Sequence, residues 1–134
     1  MGRGVTLAEA QADIVTALQP LKSVVPGLQV YAGRNQEPTP PSLDVYPADP
    51  FQQGAGMGTL SKRVAFTIRA RINGADQDAQ ALLLRLLDPA DAASVEAALY
   101  AADAGEIGND DYVSGFRDDL DGLLSCEWRV SVFL

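Results

Sequence analysis

Residues 61–72 read SKRVAFTIRARI. Val64, Phe66, Ile68, Ala70 and Ile72 fall on one side of an extended chain, and Arg63, Ala65, Thr67, Arg69 and Arg71 fall on the other. Strict alternation is the period of a β-strand, because successive side chains leave opposite faces of the pleat. The stretch therefore predicts a half-buried strand with one apolar and one polar face. Four of the chain's ten basic residues, Lys62, Arg63, Arg69 and Arg71, lie within it.

The stretch LLSCEWRVSVFL, residues 123–134, alternates in the same way. Leu124, Cys126, Trp128, Val130, Val132 and Leu134 oppose Ser125, Glu127, Arg129, Ser131 and Phe133. Two such strands form a natural sheet centre and are expected to pair, antiparallel. Ahead of them, TLAEAQADIVTALQPL begins with a capping box, Thr6 and Glu9. Leu7, Ala10, Ile14, Ala17, Leu18 and Leu21 follow helical spacing, and Pro20 marks the end. A turn at Pro26-Gly27, a short strand at 28–32, a proline-rich loop and a second short strand at SLDVYPA come next. Residues 50–60 read as a flexible glycine-rich loop, and residues 103–111 as an acidic loop. Between the long strands lie two predicted helices. The first has Asp76 as N-cap and Ala79, Leu82, Leu83, Leu86 and Leu87 as an apolar stripe, stopping at Asp88-Pro89. The second starts near Asp91 or Ser94, with Val95, Ala98 and Leu99 inward. DYVSGF, residues 111–116, reads as a further strand. The order α-β-β-β-α-α-β-β predicts an α+β fold: a single mixed or antiparallel sheet of about four to five strands, with helices packed mainly on one face.

At 134 residues the chain is one domain's length and can bury a sizeable core without a disulfide or structural metal. Its net charge of −8 argues against non-specific attraction to nucleic acid or to anionic membrane. No apolar run is long enough for a membrane-spanning helix, and the N-terminal stretch lacks the apolar core of a signal peptide, so folding in a cytoplasm is expected. The single cysteine, Cys126, reads as a small buried apolar residue. With no histidine in the chain, the Ser-His and Cys-His mechanisms and most zinc sites are excluded.

GAGMG, residues 54–58, invites a phosphate-loop reading, but no Gly-Lys-Ser/Thr follows and the next element is a strand. Asp119, Asp121 and Gly122 resemble part of a calcium loop. With Gly122 in the glycine position, however, the first ligand would be Arg117, which cannot bind a cation. No carboxylate pair stands out from the others as a catalytic pair. No catalytic, cofactor or metal residue is assigned, and the chain is not expected to be an enzyme.

The basic face of residues 63–71 has three readings. Its arginines can be solvated or paired within the chain, can contact another subunit, or can meet nucleic acid. Arginine's planar fork suits protein interfaces, and no aromatic residue is interleaved for stacking on bases. Residues 103–121 hold seven carboxylates, Asp103, Glu106, Asp110, Asp111, Asp118, Asp119 and Asp121, against Arg117. In a ring of identical subunits, a basic strand face and an acidic loop are suitable complements. Arg63, Arg69 and Arg71 are therefore candidate subunit contacts.

The succession of an amphipathic helix, VPGLQVY, a proline-rich loop, a short strand, a long alternating strand, two helices and a closing strand resembles the tail terminator proteins of long-tailed bacteriophages, especially those of actinobacteria. The stretch Leu87 to Leu99, LDPADAASVEAAL, carries the resemblance most specifically. The preceding GADQDAQALLLRLL also suits that family, and the resemblance covers roughly residues 5–134. It implies a small α+β virion protein that assembles as a ring, typically a hexamer, at the head–tail interface. Such a ring caps the tail tube protein, ends its polymerisation and joins a head-side neck protein. DNA passes through the lumen without sequence-specific binding. Phe51, Gly54, Gly56, Met57 and Gly58 are candidates for contact with a neighbouring ring. Another neck or head–tail connector component, and a small-ligand-binding or enzymatic α+β domain, are the alternatives.

Overall fold

A computed structural model describes residues 6–33, 41–54, 62–73, 79–88, 90–105, 117–118 and 123–133. Helix α1 (Leu7–Leu18) begins at Thr6. The Thr6 hydroxyl accepts from the Glu9 amide at 3.1 Å, and the Thr6 amide donates to Glu9 Oε1 at 3.3 Å. Both halves of the predicted capping box thus form. Ala10, Ile14, Ala17 and Leu18 are buried, whereas Leu7, in the first helical position, is largely exposed. The apolar stripe therefore starts one turn later than its spacing predicts. The α-helix ends at Leu18, just before Pro20 as predicted, but the coiling does not stop there. A proline near a helical start removes an N–H that has no partner there anyway, and a 3-10 turn, Gln19–Ser23, continues from α1.

Five strands follow the predicted order: β1 (Gln29–Ala32), β2 (Ser42–Gly54), β3 (Lys62–Asn73), β4 (Arg117–Asp118) and β5 (Leu123–Phe133). β1 is entered through the turn at Gly27, whose φ of +79° is open to glycine and strained for other residues. The spatial order is β1-β2-β3-β5-β4, with β1 parallel to β2 and the other pairings antiparallel. The sheet is mixed, with β3 at its centre. The two long strands pair from Arg63↔Phe133 to Asn73↔Leu123, as their alternation predicts.

Residues 50–54 are not loop. β2 continues through them, and Gln52, Gln53 and Gly54 pair with Val64, Arg63 and Lys62. The register shifts between Pro47 and Gln52. Pro47 and Pro50 bring no N–H to the ladder, so the strand passes them as an irregularity and resumes pairing beyond. Phe51 and Gly54 thus belong to a strand, and Gly56, Met57 and Gly58 lie outside the described residues. DYVSGF and the cap Asp76 also lie outside them. β4 directly follows DYVSGF and pairs with Ser125 and Leu124.

The helices lie on the apolar face of the sheet. α1 packs over β1 and β2, and α2 (Ala79–Leu87) packs over β3 and β5. α3 (Val95–Ala102) packs against α1, α2 and the 3-10 turn. Gln11 Nε2 donates to the Val45 carbonyl at 2.8 Å and ties α1 to β2. Leu83 and Leu86 of α2 and Val95 and Leu99 of α3 meet Leu43, Val45, Phe66, Ile68, Trp128 and Val130 in one core. Each such side chain contributes roughly 1.5–3 kcal/mol by leaving water.

Ser94 caps α3, its hydroxyl accepting from the Ala97 amide at 3.0 Å. Asp91 instead organises the turn before it, accepting from the Ala93 amide at 2.8 Å and pairing with Arg85 Nε at 3.3 Å. At the other end Asp103 adopts a left-handed cap, φ +51°, and Ala104 is buried. The first residues of the predicted acidic loop therefore belong to packed structure, and 106–111 lie outside the described residues.

Candidate functional site

The second face of the sheet is built by the same alternation that builds the core. With Leu43 and Val45 turned to the helices, Ser42, Asp44 and Tyr46 turn away, and β3 and β5 place their polar residues beside them. The ladder sets three rows across the strands: Ser42–Arg71–Ser125, Asp44–Arg69–Glu127 and Tyr46–Thr67–Arg129. The sequence left the basic part of this face open to solvent, to pairing within the chain, to another subunit or to nucleic acid; Ser42, Asp44, Thr67, Arg71, Ser125, Arg129 and Ser131 are buried, and Arg69 and Glu127 are part-buried.

Burying a carboxylate is costly unless a cation and hydrogen bonds compensate. Asp44 is fully buried, and its Oδ2 accepts from Arg71 Nη2 in a close ion pair. Arg69 Nη2 approaches the same oxygen at 3.4 Å. The Arg69 guanidinium carbon also lies 5.4 Å from the centroid of the Tyr46 ring, within reach of a cation–π contact. Of the three candidate arginines, Arg69 and Arg71 thus meet on a carboxylate of their own chain. Of Arg63, only the backbone pairing with Gln53 and Phe133 is described. Pairing within the chain is one of the readings the sequence left open, and it is the one Arg71 adopts.

Asp44 and Tyr46 are the residues that sequence reasoning missed here. The signal was present: an aspartate between Leu43 and Val45 in a strand must face away from the core. What the sequence lacked was the register that sets it beside Arg69.

Cys126 sits on the core face, wholly buried. Burial, with a smaller contribution from the Glu127 charge, pushes its thiol up from 9.0 to about 12. The thiolate is the nucleophile, so this side chain is chemically silent near neutral pH. A separate groove of about 610 Å³ runs between α1, the 3-10 turn and α3, over Ala17, Leu21, Val24, Ala98 and Ala101. Among the described residues, no group of three or more His, Cys, Asp or Glu side chains is placed to hold a metal ion, and no helix is long and apolar enough to cross a membrane.

No known family matches the chain, and no curated protein sequence matches it either.

Proposed function

We propose that this chain is a structural virion protein of the tail terminator type. It assembles as a ring on the end of a phage tail tube and closes the tube to further subunits. The mechanism is geometric. The terminal layer of a growing tube offers an open assembly surface, and the terminator ring occupies it with a matching one. The outer face of the ring does not template another tube layer, so polymerisation ends there and a neck protein docks instead. A surplus of acidic residues suits a lumen that DNA must traverse, since like charge discourages retention and is screened within about 8–10 Å.

The observation that carries the reading is the succession of elements: an amphipathic helix, two flanking strands, the long central strand, two helices and the long closing strand. It is the succession on which the resemblance rests, and the α+β fold is the one that resemblance implies. Electron microscopy of lysates, after a stop codon is placed in this gene, tests the proposal. Overlong or irregular headless tails support it. Normal-length tails beside separate heads move the protein to another position in the neck. Intact virions end the reading.

The groove between α1 and α3 favours a second reading, an apolar small-ligand site. A ligand that binds only the folded state raises the unfolding temperature with its concentration. A thermal-shift screen of small apolar compounds in which one gives a saturable rise would favour that reading.

A further inference from the structure

We draw no further inference here: the strongest candidate, the apolar groove between α1, the 3-10 turn and α3, is lined mostly by small side chains, and beyond the small-ligand reading already given to it nothing in the structure shows what covers it.

Discussion

Arg71 does not pair with the residue that faces it. In the ladder it stands opposite Ser42, yet its Nη2 reaches diagonally to Oδ2 of Asp44, the residue that faces Arg69. One buried carboxylate thereby locks two neighbouring rows of the sheet together. Removing it leaves Arg71 as a buried charge without its closest counter-ion, which costs about 3–5 kcal/mol. Asp44→Ala should lose that much stability in urea unfolding, and Asp44→Leu with Arg71→Met should recover most of it. A cost below about 1 kcal/mol for Asp44→Ala would mean that the pair does not hold the sheet.

This pair also marks where sequence reasoning stops. The period of two in residues 64–72 and 124–132 is local, so the faces of β3 and β5 were legible, and their length made them the sheet centre. The cap at Thr6 was legible for the same reason, and the start of α3 was narrowed to Asp91 or Ser94, of which Ser94 is the cap. The partner of Arg71 was not legible, because register is a relation between strands distant in sequence. The extension of β2 through Pro47 and Pro50 was hidden too. Prolines argue locally against a strand, although Gly54, Gln53 and Gln52 lie only eight to twelve residues before their partners Lys62, Arg63 and Val64.

Cys126 gives a pH signature. Its thiol ionises at about 12 in the folded chain and from about 9.0 ordinarily. A raised folded value contributes stability that is fully present below pH 9 and is lost as pH rises towards 12. Stability of the parent chain should therefore decline across that alkaline window, and Cys126→Ala should decline less steeply. Alkylation of the native protein near pH 8 should run about a thousandfold slower than that of free cysteine. Rapid labelling without unfolding would contradict the burial.

The two helix caps should differ in consequence. Ser94 is buried and its hydroxyl bonds the Ala97 amide, whereas the Thr6 bonds are exposed to solvent. Replacing either by alanine costs about 0.5–2 kcal/mol, and water can restore part of the loss only at an exposed cap. Ser94→Ala should lie near the upper end of that range and Thr6→Ala near the lower, measured by chemical denaturation. Ser94→Asp, which restores an acceptor, should recover part of the loss. Equal costs for the two alanine variants would show that solvent access does not decide cap strength here.

Gly105 is fixed by packing. A Cβ built on it would stand 2.6 Å from Val130 Cγ1 and 3.2 Å from the Ser131 carbonyl oxygen. Neither neighbour gives way easily: Val130 belongs to the core, and Ser131 lies within the β3–β5 ladder. Gly105→Ala should therefore destabilise the chain by about 1–3 kcal/mol, the ordinary cost of overpacking. Val130→Ala opens a cavity of its own, but it also removes the nearest obstruction. The double variant should then be more stable than the sum of the single losses predicts, because the two sites share one contact. Strict additivity in urea unfolding would show that the segment after α3 does not press on β5 at this point.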